Sequence, residues 1–317
     1  LMKKGLEVFD PIQLGSLRII ITFIALSPLA FKRFKSINRE DWKVLAFAGI
    51  IGSFFPAFLF AMAQTGLNSS SAGILNSLTP LFTLLVGISF FKFKAKWWSF
   101  LGIFISMLGT YGLLSISGGN SFSFNIHYGL MIIFATLFYG TQINIVKTKL
   151  SHIPPVTITV FQFFVIGWPA LLILFGFTDF ISLFQSEPRI YEGLFFVAIL
   201  ALVATALALI LFNMLIKIAS PVFASSVTYF IPLIALLWGI FDNESFNLSI
   251  LLWIVLILLF LQCPTNLPLE FVFPNIKFLF APHYLMQNLR IPIYDLLLRR
   301  YNDPQYLNEF RKQNQVL

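Results

Sequence analysis

The chain has 317 residues, of which 58% are hydrophobic and only 11% are charged, whereas soluble domains carry about 25% charged residues. The apolar residues form runs of roughly 20, long enough to cross a hydrocarbon layer of about 30 Å as a helix, which excludes a soluble globular protein. The net charge of +8 comes from basic residues that lie mainly between these runs, a pattern that indicates membrane orientation rather than nucleic-acid binding.

The apolar runs predict an all-α, polytopic membrane protein with nine transmembrane helices. In chain order, the predicted helices are 12–31, 43–64, 70–91, 97–117, 126–146, 156–178, 191–213, 219–241 and 246–262. Several of them contain Gly or Pro. Transmembrane helices tolerate these residues because neighbouring helices can satisfy the freed backbone groups.

The lysines and arginines fall mainly in alternate connections between the predicted helices. Eleven of them lie in connections on one side and three lie on the other side. Cytoplasmic loops are enriched in basic residues. We therefore expect a multi-pass protein of the cell membrane, with the C-terminus and the basic loops 32–43, 92–96 and 147–149 in the cytoplasm.

An internal repeat relates the two halves of the chain. A shift of 152 residues aligns several positions in order, including Pro80 with Pro232. We therefore expect two five-helix repeats, at 1–118 and 125–262, and the odd number of helices inserts the second copy upside down. Inverted repeats of this kind enclose a substrate site near the bilayer midplane.

Both ends of the chain carry further expectations. A shift of 144 residues aligns Pro11 with Pro155, so the counterpart of helix 126–146 would precede residue 1. We expect ten transmembrane helices in the complete protein, with most of the first one missing here. Residues 263–317 lose the apolar pattern, which favours a cytoplasmic tail that is either disordered or a non-native extension.

Four stretches carry a resemblance to a known family. They are "LGSLRIIITFIALSPLAF" (14–31), "GLMIIFATLFYGTQINIVKTKL" (129–150), and the pair "SSAGILNSLTPLFTLL" and "FASSVTYFIPLIALL". In order and spacing they resemble the EamA-like exporters of the drug/metabolite transporter superfamily. The resemblance implies a central cavity between two five-helix repeats and outward movement of small metabolites or amphipathic drugs. Lys92 departs from the pattern, because family members commonly carry a glutamate at that place.

The two proline-bearing helices supply the first candidates for a substrate cavity. Pro80 and Pro232 are expected to kink their helices and to free the carbonyls of Asn76 and Thr228, four residues earlier. Thr79 shares a face with Asn76. A freed carbonyl inside a membrane is tolerated only against protein or water. These residues therefore either line the solute path or bond to neighbouring helices.

Other polar residues inside the predicted helices are either interhelical hydrogen-bonding groups or cavity contacts. They are Gln64, Thr136, Tyr139, Asn144 and Asn213. Arg18 is the one ionisable residue well inside a predicted helix. Because a charge there is costly, its side chain snorkels to the outer interface, pairs with another helix, or meets an anionic group of the substrate.

The distribution of reactive side chains favours a carrier over an enzyme. Asp and Glu lie at helix ends, in connections or in the tail, which disfavours proton coupling through a buried carboxylate. His, Cys, Asp and Glu do not cluster as a metal or catalytic site requires, so we expect no metal, cofactor or catalytic residue. The sequence predicts efflux of a small molecule by alternating access, in a monomer or homodimer within the lipid bilayer. The alternatives are an integral membrane enzyme and a flippase for lipid-linked substrates.

Overall fold

The computed structural model describes residues 1–34, 37–67, 69–94, 97–117, 126–229 and 253, and the regular structure within these residues is helical. The α-helices are α1 (Met2–Leu6), α2 (Pro11–Arg33), α3 (Arg39–Gly49), α4 (Phe55–Gly66), α5 (Ser69–Asn76), α6 (Thr79–Phe91), α7 (Trp97–Ser117), α8 (Ile126–Lys149), α9 (Pro155–Phe177), α10 (Phe180–Ser186), α11 (Ile190–Ala201), α12 (Ala208–Ile218) and α13 (Pro221–Ser226). The first π-helix (Ile50–Phe54) joins α3 to α4, the second π-helix (Leu202–Leu207) joins α11 to α12, and a 3₁₀ turn covers Val227–Tyr229. Pro232, the tail 263–317 and most of the predicted helix 246–262 lie outside the described residues.

Five helical segments are long and apolar enough to cross a membrane. They are Pro11–Arg33, Arg39–Gly66, Ile126–Lys149, Pro155–Phe177 and Ile190–Ile218. Each covers one of the helices predicted from the sequence, and α7 begins and ends where it was predicted. The prediction of an all-α membrane fold is thereby confirmed.

The start of the first long helix is fixed by its first residues. Asp10 caps α2 by accepting hydrogen bonds from the backbone N–H groups of Ile12 and Gln13, at 2.7 and 2.8 Å. The Gln13 side chain accepts one from the Asp10 N–H at 3.2 Å, which completes a capping box. Pro11 stands at the first helical position, where an N–H would lack a partner. This cap fixes the start of α2 and therefore the position of Arg18 along the helix.

The predicted helix 70–91 is divided into two helices. α5 ends at Asn76 and α6 begins at Thr79, because Pro80 has no N–H with which to continue the hydrogen-bond ladder. The Thr79 hydroxyl donates to the Asn76 carbonyl instead, at 2.8 Å. The prediction of a single kinked helix is therefore corrected to a break at residues 77–78.

The two π-helices occupy equivalent positions in the two halves of the chain. The 152-residue shift that aligns the halves places Ile50 on Leu202 and Phe54 on Ala206. π-helical turns inside α-helices are rare and are frequently found at functional sites. The same irregularity at the same repeat position is therefore a regular feature of both long segments and not a local defect of one of them.

Contacts at one end of the helices show that these two equivalent segments run in opposite directions. His152 Nε2 lies 3.0 Å from Asp41 Oδ1, near the start of α3. Five residues before His152, Lys147 Nζ donates to the carbonyls of Lys217 and Ala219, at the end of α12, at 2.9 and 2.7 Å. Segment α3–α4 therefore begins at the end where segment α11–α12 finishes, as an inverted repeat requires.

The long helix of each half packs on the π-helical segment of the other half. α2 contacts α11 and the second π-helix, whereas α9 contacts α3 and the first π-helix. α2 and α9 also pack along each other, where Phe23 of α2 lies against Gly167 of α9. The junction between the two halves thus includes α2, α9 and the two π-helices, and α8 of the second half also packs on α4 and α6 of the first.

Candidate functional site

Arg18 reaches into this junction from α2. Its Nε donates a hydrogen bond to Thr205 Oγ1 at 2.7 Å, and its side chain is half-buried. Thr205 lies near the middle of the segment Ile190–Ile218, with roughly 20 Å of helix on either side at 1.5 Å per residue. The guanidinium is therefore bonded to another helix, near the middle of that helical segment. Whether Arg18 also meets the outer interface or a substrate stays a prediction.

The second π-helix is attached to α2 by hydroxyl groups. The Thr205 hydroxyl donates to the Leu200 carbonyl, five residues earlier, at 3.0 Å. The Thr22 hydroxyl of α2 lies 3.0 Å from the Ala201 carbonyl and 2.9 Å from the carbonyl of Arg18. Because a π-helical turn disturbs the regular hydrogen-bond ladder, these hydroxyls supply partners for carbonyls at its start.

Aromatic side chains of α4 and α8 lie in the neighbourhood of Arg18. Tyr139 of α8 interacts electrostatically with Arg18, and its ring centroid lies 5.9 Å from that of Phe60 in α4. Phe58 of α4 lies against Gly15, which shares a helix face with Arg18. The structure thus brings together two predicted candidates, Arg18 and Tyr139, next to apolar rings.

The first π-helix lacks the partners that the second one has. Ser53 aligns with Thr205 in the 152-residue repeat, but its buried hydroxyl has no hydrogen-bond partner in the described part of the chain. Gln162 aligns with Arg18 under the 144-residue shift, and both polar atoms of its fully buried amide are likewise without a partner. Equivalent positions are therefore bonded in one half and left unsatisfied in the other.

Two glutamines lie against glycines in or next to this first π-helix. A Cβ on Gly52 would clash with Gln142 Cγ, and a Cβ on Gly49, the last residue of α3, would lie 3.1 Å from the Gln162 carbonyl oxygen. The Gln142 Nε2 is also buried without a partner. The sequence prediction missed Gln162 because its amide sits in an apolar run, although the repeat alignment with Arg18 could have drawn attention to it.

The polar face of α8 packs against α6. Asn144 donates through Nδ2 to the Thr83 carbonyl at 2.9 Å and to the Gly140 carbonyl at 2.8 Å. A Cβ on Gly140 would lie 2.7 Å from the Thr83 backbone nitrogen, so the two helices touch at this point. Thr136 is fully buried and donates to the Ile133 carbonyl of its own helix. In this structure Thr136 and Asn144 serve helix packing.

Three more candidates lie in α4 or around the break between α5 and α6. The Thr79 hydroxyl lies 3.4 Å from Asn76 Oδ1, in addition to its bond with the Asn76 carbonyl. Asn76 is half-buried, whereas Thr79 is fully buried. Gln64 is half-buried in the last turn of α4. The Thr79 hydroxyl therefore bonds locally to Asn76 across the break between the two helices.

The candidates in the second half make their contacts with nearby helices. Asn213 of α12 donates through Nδ2 to the Thr159 hydroxyl of α9 at 2.9 Å. Thr228 donates to the Ser225 carbonyl, one turn earlier, at 2.9 Å. The proline that the sequence predicts to kink this helix, Pro232, lies beyond the described residues.

Comparison with known proteins identifies the family. The profile of the EamA-like transporter family matches residues 1–115 and 128–261. The chain belongs to this EamA-like transporter family. A protein from Synechocystis, described as the uncharacterized transporter sll1164, is 24% identical over 169 residues. That alignment covers 50% of this chain and 48% of the relative, so the chain spans about half the length of the curated relative it matches.

A solved crystal structure supports the fold of this EamA-like transporter. It aligns with 83% of this chain and 90% of its own chain, with a TM-score of 0.63 and 18% sequence identity. The matching family and the curated relative are both named as transporters and not as enzymes. The chain therefore has the helical, multi-pass membrane fold of the EamA-like transporter family.

Glu7 and Glu192 of this EamA-like transporter are paired with basic side chains. Arg189 contacts Glu7 at 3.1 Å and Glu192 at 3.0 Å, and Lys4 contacts Glu7 at 2.8 Å. The hydrogen bonds from Lys4 and Arg189 lower the pKa of Glu7. A carboxylate that couples transport to protons needs a raised pKa, so Glu7 is unsuited to that role.

Proposed function

We propose that this EamA-like transporter carries a small organic solute through the junction between its two halves. The observation that carries the proposal is the 2.7 Å hydrogen bond between Arg18 and Thr205, which joins α2 of one half to the π-helix of the other at mid-depth. Carriers built from inverted repeats bind their substrates near the bilayer midplane, where discontinuous helices meet. A polar side chain held at that depth between the halves supports a solute site there.

The two π-helices supply the bends that alternating access requires. Sharp bends in long helices are found at π-helical turns, and each π-helix packs on the long helix of the other half. Under this proposal, rocking of one half against the other opens the junction first to one side and then to the other. The break between α5 and α6 gives the first half a further point of bending.

Basic residues at one end of the helices support the proposed orientation. Arg33, Lys147 and Lys217 meet partners from other helices at this end, and basic loops favour the cytoplasm. We place this end in the cytoplasm of the cell membrane and propose outward transport. The described spans hold no carboxylate at mid-depth, which supports exchange or facilitated diffusion. The junction lies within one chain, so transport should not differ between a monomer and a homodimer.

Counterflow in vesicles tests the carrier function. The purified full chain is reconstituted into liposomes loaded with an unlabelled solute, and accumulation of the labelled solute is followed for amino acids, nucleobases and small aromatic acids. We expect at least one solute to accumulate transiently, unaltered, in vesicles with the protein but not in vesicles with heat-denatured protein. Recovery of a chemically altered solute, or no exchange across the panel, would contradict the proposal.

A further inference from the structure

We infer that Arg18 binds a single carboxylate of the transported solute, so that the carrier selects monoanionic organic acids with an apolar body. The inference rests on the proposed carrier function and names the substrate class of its site. It is carried by the charge, the hydrogen bonding and the apolar surroundings of one side chain.

No acidic side chain of the described residues pairs with Arg18. It is the one charged side chain of the described spans that lies away from the helix ends. The ion pairs of Glu7, Asp41 and Glu192 all involve other basic side chains. A charge at mid-depth is costly and marks a functional site unless it is paired. An anionic ligand would remove this cost.

The hydrogen bonding of the guanidinium leaves its terminal nitrogens available. Nε donates to Thr205, which fixes the orientation of the group. The two terminal nitrogens make no hydrogen bond within the part of the chain that the structure describes. Two parallel N–H groups on a guanidinium match the two oxygens of a carboxylate in a bidentate pair. Arg18 is thus oriented by the protein and open towards a ligand.

The surroundings restrict the ligand to one negative charge and an apolar body. No second cationic side chain lies at this depth in the described spans, so a phosphate dianion would leave one buried charge without a partner. Tyr139 interacts with Arg18, the ring of Phe60 lies next to that of Tyr139, and Phe58 lies against Gly15, one turn before Arg18. Aromatic side chains bind apolar and aromatic groups, and the Tyr139 hydroxyl can donate a further hydrogen bond.

Matched pairs of ligands test the inference on the purified full chain in detergent. The probes are benzoate, phenylacetate and indole-3-acetate, each compared with its own carboxamide, and binding is measured as a concentration-dependent rise in melting temperature. We expect at least one carboxylate to stabilise the wild type while its carboxamide at the same concentration does not. Because charge-assisted hydrogen bonds contribute strongly to binding free energy, Arg18→Gln should weaken this binding at least tenfold. Arg18→Lys keeps the charge and should bind with intermediate affinity.

Arg33 provides the control, because it is a second arginine of α2 that donates to a threonine of the other half. Its terminal nitrogen lies 2.7 Å from Thr157 Oγ1, but near the helix end. Arg33→Gln should leave carboxylate binding unchanged. Without ligand, Arg18→Gln should melt no lower than the wild type, because it removes an uncompensated charge. A lower melting temperature would instead indicate a structural role for Arg18.

Three results would overturn the inference: equal binding of carboxylates and carboxamides, unchanged affinity in Arg18→Gln, or no response to any of the three acids. Counterflow separates this failure from failure of the carrier function. If the wild type exchanges only solutes without a carboxylate, the carrier proposal stands and the carboxylate site falls. If no solute of either kind is exchanged, the carrier proposal itself falls.

Discussion

Arg18 and Thr205, which are 187 residues apart in the sequence, are joined by a 2.7 Å hydrogen bond across the junction between the two halves of the chain. Thr205 stands in the second π-helix, and its hydroxyl also bonds to the Leu200 carbonyl. The π-helical turn and the arginine are therefore linked through one hydroxyl group. A movement of this turn would move the guanidinium with it, which connects a change of helix shape to the solute site.

Removal of the Thr205 hydroxyl should impair transport more than it impairs folding. Thr205→Val keeps the shape of the side chain but leaves Arg18 Nε and the Leu200 carbonyl without this partner. A hydrogen bond to a charged group contributes about 1.5–3 kcal/mol, so we expect roughly a tenfold fall in the counterflow rate. Thr205→Ser, which restores the hydroxyl, should recover most of the rate. Equal counterflow rates in Thr205→Val and Thr205→Ser would show that the Thr205 hydroxyl does not contribute to transport.

Gly140 should prove essential for the contact between α6 and α8. A Cβ at this position would lie 2.7 Å from the Thr83 backbone nitrogen, and backbone cannot move aside as a flexible side chain can. Gly140→Ala should lower the free energy of unfolding by about 1–3 kcal/mol. Gly176 of α9 is the matched control, because among the described residues no atom outside its own helix backbone lies within 4 Å of its Cβ position. Gly176→Ala should leave unfolding in detergent unchanged or slightly raise the stability.

Gln162→Leu should stabilise this conformation while it slows transport. Both polar atoms of the Gln162 amide are buried without a partner, and an unsatisfied buried group costs about 1–3 kcal/mol. We expect a higher melting temperature, because the variant removes the unsatisfied amide. We also expect a lower counterflow rate, because the amide would bond to water in a conformation in which the junction is hydrated. Gln13→Leu is the control, since it removes a buried amide that bonds to the Asp10 N–H. This variant should melt lower than the wild type.

Lys92 holds a left-handed backbone conformation at the end of α6, with φ of 56°. It is the one residue other than glycine with positive φ in the described part of the chain. This conformation costs about 1–2 kcal/mol for a residue with a Cβ. Lys92→Gly should therefore raise the free energy of unfolding by about 1 kcal/mol. Lys94→Gly, two residues later, should bring no such gain, and a gain of equal size there would refute the explanation.

Features that depend on composition and spacing could be predicted from the sequence. The apolar runs gave the helix positions, and α7 begins and ends at its predicted residues. Pro80 marked the interruption of 70–91, because a missing N–H acts in any fold. At the break itself, Thr79 donates a hydrogen bond to the Asn76 carbonyl. This bond depends on a side-chain rotamer, which the sequence does not specify.

Features that depend on helix partners could not be predicted in the same way. A polar residue on a helix looks the same in the sequence whether it faces a cavity or another helix, so both alternatives stayed open for Thr136 and Asn144. In the structure Asn144 bonds to the Thr83 carbonyl of α6, and Thr136 bonds within its own helix. The π-helices leave no mark in apolar segments such as "IIGSF". The depth of Arg18 suggested several partners, and only the packing of α2 on the other half selects Thr205.

The accessibility of position 139 to a water-soluble reagent tests the central claim. This claim is that a water-filled junction between the halves opens alternately to both sides of the membrane. In a Cys263→Ser background, Tyr139→Cys places a thiol beside Arg18, and Phe134→Cys places one on the exposed face of the same helix, where Phe134 is 52% exposed. A charged, membrane-impermeant thiol reagent is applied to sealed vesicles from either side. We predict that the thiol at 139 reacts from both sides and the thiol at 134 from neither. Reaction at 139 from one side alone, or from neither side, would contradict alternating access through this junction.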